Sequence, residues 1–306
     1  MTRVVCIGEC MVELRAAGAD TFARSYAGDV YNTAVYLKRS LPAAQVQFLT
    51  ATGDDAMSKA MRRMWRAQEI EDALAFPVAG GSAGLYLIET DAFGERSFQY
   101  WRKDSAARHW LARLVEHGES LLHGADIVYF SGITLAVLAP DERGPAIEML
   151  RRARTHVGRI AFDPNVRLRL WQSPQVAAQT IRAAMSVCDI ALPSAEDLAW
   201  LFGSGEPLRQ IELLTEMGVS EVALTLGAAG CIIADGEARE RLPSPSVERV
   251  IDTSGAGDAF NGAYLANRLQ GSSPDEAALA ALRVASRVVT HAGAIVPASV
   301  SHPATS

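Results

Sequence analysis

Cysteine is rare in this sequence. The 306 residues hold four, Cys6, Cys10, Cys188 and Cys231, with no Cys-x-x-Cys spacing and no histidine cluster beside them. That excludes a disulfide framework and a zinc-finger pattern, and leaves four small hydrophobes suited to a reducing compartment. There is no Lys/Arg-rich block, and the net charge is −6, so neither nucleic acid nor an anionic membrane is an expected partner. No apolar run approaches the roughly 18 residues of a membrane span. No charged-then-apolar leader opens the chain, so a cytoplasmic protein is expected. Neither Gly-x-x-x-x-Gly-Lys-Ser/Thr nor Gly-x-Gly-x-x-Gly occurs, which sets aside P-loop enzymes and disfavours dinucleotide dehydrogenases. A Pro/Ser-rich linker and internal repeats are also lacking.

What the chain does have is an alternation of short apolar strands and amphipathic helices. Hydrophobic residues make up 49% and charged residues 21%, enough apolar content for a sizeable core. Residues 3–8, 46–51, 126–130, 159–162, 188–192 and 221–226 read as buried strands, and 231–234 as an edge strand. Residues 57–65, 106–123, 144–156, 175–187, 207–217 and 275–290 read as helices. The stripe of Met57, Ala60, Met61, Met64 and Trp65 reads as core packing. Strands alternating with helices imply an α/β protein with a doubly wound, largely parallel sheet. His291 reads as a surface or helix-end histidine.

Two segments follow another rhythm. In residues 10–15, Met11, Glu13 and Arg15 alternate with Val12 and Leu14, the pattern of a half-exposed strand. Residues 85–88 and 97–102, joined by a turn at 91–95 containing Gly94, read as a β-hairpin. Together they predict a second, small sheet that covers a cleft as a lid, with Tyr86, Tyr100 and Arg102 projecting inwards.

Three stretches carry chemistry. In the first, a β-branched run at 247–251 leads through Asp252-Thr253-Ser254-Gly255-Ala256-Gly257-Asp258 into a helical pattern. With Ser254 as N-cap, Gly255, Ala256 and Gly257 form the first turn. Their amides and the helix dipole then make a backbone anion site that a phosphate can approach closely. Asp258 on that turn is expected to stay ionised at neutral pH and to accept the proton of an attacking hydroxyl. In the second stretch, Ala27-Gly28-Asp29-Val30-Tyr31-Asn32, Gly28 permits close backbone approach while Asp29 and Asn32 offer groups for hydroxyls; a simple capped turn fits equally well. In the third, Asp163-Pro164-Asn165-Val166-Arg167 lies at a strand's carboxyl end, where open α/β sheets bind ligands.

The decapeptide 251–260 closely resembles the signature Asp-Thr-x-Gly-Ala-Gly-Asp-x-Phe of the PfkB carbohydrate kinases, the ribokinase-like superfamily. Residues 28–32 resemble that family's Gly-Gly-x-x-x-Asn sugar signature, with Ala27 where its first Gly is usual. Leu226-Gly227-Ala228-Ala229-Gly230 and Gly293-Ala294 resemble its nucleotide-cradling segments. The family's Asn-x-x-Glu stands here as Ser194-Ala195-Glu196-Asp197, and Thr225 stands where a Lys is frequent. The resemblance implies a ribokinase-like three-layer αβα sandwich in one domain, 1–306, with lid strands from about 9–16 and 81–104. It also implies that Asp258 is the base and that the amides of Gly255, Ala256 and Gly257 steady the transferring phosphoryl group. Ser194, Thr225, Gly227, Gly230, Gly257 and Gly293 would contact ATP. Mg²⁺ would be held through water near Asp197 and the ATP phosphates, with no direct protein ligand, and a monovalent cation is possible near Asp252. A homo-oligomer is expected.

Within the family, 8–14, 28–37, 100–102 and 163–167 look most like the members that phosphorylate the terminal hydroxyl of 2-keto-3-deoxygluconate. That substrate is a sugar acid, and Arg102 and Arg167 provide guanidinium donors suited to a carboxylate. Gly28, Asp29, Asn32, Tyr86, Tyr100 and Asn165 complete the expected sugar site. A kinase for a neutral sugar or nucleoside, such as fructose or ribose, is the alternative; there the two arginines would face solvent or pair with acids. A non-catalytic sensor on the same fold is a third, and it would have no use for Asp258.

Overall fold

Strand β1 (Arg3–Ile7) is an interior strand of the large sheet in the computed structural model, which describes residues 1–18, 20–90 and 96–302. The further strands are β2 (Met11–Gly18), β3 (Thr21–Ala27), β4 (Gln45–Gly53), β5 (Ala75–Val78), β6 (Leu85–Thr90), β7 (Arg96–Trp101), β8 (Ile127–Ser131), β9 (Arg159–Asp163), β10 (Ile190–Ala191), β11 (Glu221–Thr225), β12 (Cys231–Asp235) and β13 (Ala238–Leu242). The helices are α1 (Asp29–Ser40), α2 (Ala56–Ala67), α3 (Trp110–His117), α4 (Gly132–Ala136), α5 (Arg143–Ala153), α6 (Pro174–Met185), α7 (Ala195–Phe202), α8 (Pro207–Glu216), α9 (Ala256–Leu269), α10 (Pro274–Val288) and α11 (Ala298–Ser301).

Among the described residues the strands form a large sheet, ordered β13-β12-β11-β10-β9-β8-β1-β4-β5, and a small one, ordered β3-β2-β6-β7. In the large sheet the β11–β12 and β12–β13 pairs are antiparallel and the rest parallel. Alternation along β1 sends Val4 and Cys6 into one core and Val5 and Ile7 into the other, as the two-residue period of a strand requires. Helices α1, α2, α9 and α10 cover the first face, and α3, α5, α6, α7 and α8 the second, giving the expected three layers. All four cysteines are buried and free. No helix of the described residues is long and apolar enough to cross a membrane.

Helices α1 and α9 approach very closely because α9 offers Gly262 at the crossing. A Cβ there would lie 2.5 Å from the Thr33 carbonyl oxygen and 2.7 Å from the Leu37 nitrogen. This contact fixes the depth of the two helix starts, which carry Asn32 and Asp258. Gly262→Ala, a change that ordinarily favours helix, is therefore expected to destabilise the fold by about 1–3 kcal/mol through overpacking. Chemical denaturation checks this; an unchanged or raised midpoint would contradict the packing.

Several expectations need correction. Residues 247–251 form no strand: Val250 and Ile251 are 57% and 53% exposed, and the Ile251 and Asp252 amides donate to Val289 O, at 2.8 and 3.2 Å, not to a neighbouring strand. β12 is not an edge; β13 lies outside it. Residues 106–123 are not one helix, since Gly118, with φ 98°, ends α3. Only Met61 and Trp65 of the α2 stripe are buried, while Met57 and Met64 are exposed. Strand β3 was not foreseen. The hairpin pairs as expected, Leu85 opposite Trp101 and Tyr86 opposite Tyr100; its turn at 91–95 lies outside the described residues.

Candidate active site

The carboxyl ends of β1, β8, β9, β10 and β11 open into a cleft of about 1220 Å³, roofed by the small sheet. Its floor is the start of α9. Gly255 precedes the helix in the left-handed region, φ 72°, and a Cβ there would sit 2.4 Å from Ala294 O. Gly255, not Ser254, is thus the N-cap, and Ser254 instead donates its amide to Asp252 Oδ1 at 2.9 Å. Gly293 N–H donates to the other oxygen, Oδ2, at 2.6 Å, so Asp252 straps the loop to the 293–294 segment. Gly255, Gly257 and Asp258 line the cleft, whereas Ala256 does not; its amide donates to Thr253 O at 3.2 Å.

Asp258 sits where α9 meets α1, and Asn32 Nδ2 donates to its Oδ2 at 2.8 Å. Burial pushes its carboxyl up to about 7, and the charge of Asp29 adds to the rise; the Asn32 hydrogen bond and Arg167 oppose it. The expectation of full ionisation at neutral pH is corrected accordingly. A carboxyl that titrates near neutrality is well matched to taking up and giving back a proton.

The middle of the cleft is an amide–carboxylate network. Asn165, held at φ 34°, donates from Nδ2 to Asp29 Oδ2 at 2.8 Å and from its backbone to Asp163 Oδ1 at 2.9 Å. Asn261 Nδ2 donates to Asp163 Oδ2 at 2.9 Å. Burial, then the negative charges of Asp197, Asp29 and Asp258, raise the Asp163 carboxyl well above its usual range. Gly28 enters α1 with extended backbone, and a Cβ on it would lie 2.1 Å from Glu9 O. This juxtaposition holds Asp29 and Asn32 under the lid.

The lid wall brings Tyr86, Tyr100 and Arg102 to the cleft, as expected, with partners that the sequence did not show. Arg102 is not unpaired: Nη2 donates to Glu9 Oε2 in a buried ion pair. Tyr86 donates its hydroxyl to Glu13, which also accepts from Ser25 Oγ at 2.7 Å and Arg15 Nη2 at 3.2 Å. The Tyr86 and Tyr100 rings stack with centroids 5.6 Å apart, and the Arg169 guanidinium lies 5.2 Å over Tyr100. Arg167 is exposed at the rim and donates to its own neighbour, Val166 O, at 2.9 Å.

At the far end, Ser194 caps α7 reciprocally with Asp197. Ser194 Oγ donates to Asp197 Oδ2 at 2.6 Å, and the Asp197 amide returns a bond to Ser194 Oγ at 3.1 Å. Asp197 Oδ1 accepts from Val166 N–H at 2.8 Å, joining this end to the 163–167 loop. Thr225 and Gly227 line the cleft with Trp200, but Gly230 and Gly293 do not. Gly230 serves the turn into β12: at φ 96°, its Cβ would meet Leu242 O at 2.0 Å.

Sequence reasoning missed Glu9, Glu13, Arg15, Asn261, Arg169 and Trp200 among the cleft residues, and gave Asp163 a place at the strand end but no role. Three were signalled: Glu13 and Arg15 share a strand face with Met11, and Asn261 is three residues past Asp258 on one helix face.

The comparisons with known proteins agree with this fold. The model of the pfkB family carbohydrate kinases matches residues 1–300. The chain is 38% identical to the 2-dehydro-3-deoxygluconokinase of Escherichia coli (strain K12), over 96% of this chain and 97% of that one. It is also 38% identical to the same-named protein of Dickeya dadantii (strain 3937), over 96% of each. Among solved structures, a PfkB protein from Polaromonas sp. JS666 superposes with a TM-score of 0.85 at 25% identity, covering 95% of this chain and 96% of that one. The glycine loop and half-buried aspartate at the head of α9 therefore sit in a fold matched from end to end, and the chain belongs to the pfkB family of carbohydrate kinases.

Proposed function

We propose that this protein is a 2-dehydro-3-deoxygluconokinase, transferring the γ-phosphoryl group of ATP to the terminal hydroxyl of 2-dehydro-3-deoxygluconate (2-keto-3-deoxygluconate). The observation that carries the reading is Asp258 on the first turn of α9, beneath a lid wall that bears Arg102. Near-full-length identity to kinases of that name supports the substrate.

In this reading Asp258 takes the proton of the terminal hydroxyl as that oxygen attacks the γ-phosphorus and the bond to the β-phosphate oxygen breaks. The amides of Gly255 and Gly257 stabilise the charge that develops on the phosphoryl oxygens. Gly28, Asp29, Asn32 and Asn165 hold the sugar hydroxyls. Tyr86, Tyr100, Arg102 and Arg167 hold the keto-acid end. ATP lies by Ser194, Thr225 and Gly227. Both oxygens of Asp197 already accept protein hydrogen bonds, which fits a group that holds Mg²⁺ through water on the ATP phosphates and not as a direct ligand. Mg²⁺ so placed supplies neutralisation of phosphate charge. A monovalent cation beside the loop strapped by Asp252 belongs to the same proposal. So do a cytoplasmic location and a homo-oligomer, for which Phe22 and Trp101, 52% and 55% exposed, are candidates on the outer lid face.

Two observations favour the alternative, a kinase for a neutral sugar or nucleoside: the Glu9–Arg102 pair, which gives Arg102 a charge partner without substrate, and the exposure of Arg167 at the rim. Phosphorus NMR of the product decides: a phosphate ester coupled to the terminal methylene of 2-keto-3-deoxygluconate supports the proposal, and no ester on that acid overturns it. The base assignment has its own check. The carboxylate form is the active one and its pKa is about 7, so kcat/KM should rise with pH and level off above an inflection near 7. A profile flat from pH 5 to 8 would remove Asp258 as the base.

A further inference from the structure

Beside the main cleft lies a second cavity of about 250 Å³, walled by Arg108, Arg143, Arg169, Trp171 and Leu138, with no carboxylate among its lining residues. Arg143 is 5% exposed, and every hydrogen-bond partner it has is uncharged. Nε donates to Leu135 O at 3.2 Å, Nη2 to Ala136 O and Leu138 O at 3.3 and 3.4 Å, and Nη1 to Gln172 Oε1 at 2.6 Å. Its plane lies 4.8 Å over Trp171. Buried guanidinium groups are ordinarily paired with acids, yet among the described residues none of the ion pairs includes Arg143. The charged neighbour that acts on it is Arg108, of its own sign. Capping the carbonyls at the end of α4 accounts for Arg143 alone. It does not account for Arg108 and Arg169 facing the same cavity.

We propose that this cavity binds a small phosphate-bearing anion. Arg108, Arg143 and Arg169 bring three positive charges to the lining of one cavity, and the forked donors of a guanidinium are well shaped for a tetrahedral dianion. Trp171 and Leu138 provide an apolar wall for a short carbon body. Arg169 lines both this cavity and the main cleft, where it lies over Tyr100. An anion that draws Arg169 inward takes it off the lid ring, which couples occupancy to the sugar site.

The test uses the full chain saturated with a non-hydrolysable ATP analogue, so that the nucleotide's phosphate positions are filled. Inorganic phosphate is titrated by calorimetry at constant ionic strength, with no sugar present. Saturable binding of one phosphate, weakened at least tenfold in Arg108→Ala and in Arg169→Gln, is expected. Arg169→Gln, at an exposed position, serves if Arg108→Ala does not fold. Absence of saturable heat, or an affinity unchanged in the variants, would overturn the site. Competition by acetate as strong as phosphate would overturn the assignment to phosphate. The readout needs no turnover, so its failure is separate from any failure of the kinase reading.

Discussion

Asp258→Asn is expected to lower kcat by roughly 10²–10⁴-fold, the usual contribution of a general base, while KM for the sugar changes little. The carboxamide keeps an oxygen to accept the Asn32 Nδ2 hydrogen bond of 2.8 Å, so the junction of α1 and α9 persists, but it cannot take up the hydroxyl proton. The same change should raise stability at neutral to alkaline pH. The Asp258 pKa is about 7 in the folded chain against 3.8 for the free side chain, so the folded state holds this proton more tightly than the unfolded one. That contribution is full below pH 4 and is lost as pH rises through 7. Above 7 the wild type carries the whole cost of a buried charge, and the neutral Asn escapes it. A melting temperature above wild type at pH 8, with the gap closing towards pH 4, is the expected result. Turnover within tenfold of wild type would refute the base assignment, and a lower melting temperature at pH 8 would refute the buried charge.

The second large effect is at Arg102. Arg102→Ala removes a charge-assisted bond to the substrate carboxylate, about 1.5–3 kcal/mol, which is about 10- to 150-fold in KM for the sugar acid. It also strands Glu9, 2% exposed, as an unpaired buried carboxylate, at about 3–5 kcal/mol of stability. The two effects separate in Glu9→Gln/Arg102→Ala. With the buried charge gone, stability should return most of the way while KM for the acid stays raised. If the double variant recovered both, Arg102 would be a partner for Glu9 and not a contact of the substrate. For fructose or ribose no change in KM beyond the stability effect is expected.

How much of this was legible in the sequence depended on how local the controlling interactions are. The α9 loop could be read because its chemistry lies within seven residues, and the small sheet because the β2 face of Met11, Glu13 and Arg15 alternates with a period of two. The lid charges could not. Glu9 and Glu13 look solvated in sequence, and the groups that allow their burial, Arg102 and Tyr86, are 93 and 73 residues away. Strand β3 stayed hidden because it is an edge strand, with residues 21–25 exposed. Edge strand β13 is charged at Arg239, Glu240 and Arg241 and gives no apolar signal. Conversely, the β-branched run at 247–251 looks like a strand, yet the chain passes there over the surface and no neighbouring strand pairs with it. The Asp258 pKa followed the same rule. Its ionisation depends on Asp29 and on burial beneath the lid, neither of which the motif reveals.

The most direct test of the central claim is kcat/KM for ATP-dependent ADP release with 2-keto-3-deoxygluconate, set against 2-keto-3-deoxygalactonate, fructose, ribose and adenosine under the same conditions. The account predicts that 2-keto-3-deoxygluconate is preferred over the three neutral compounds and that Arg102→Ala narrows this preference. Turnover of fructose or ribose that equals or exceeds it would contradict the sugar-acid assignment and leave a kinase whose lid arginine serves Glu9 alone.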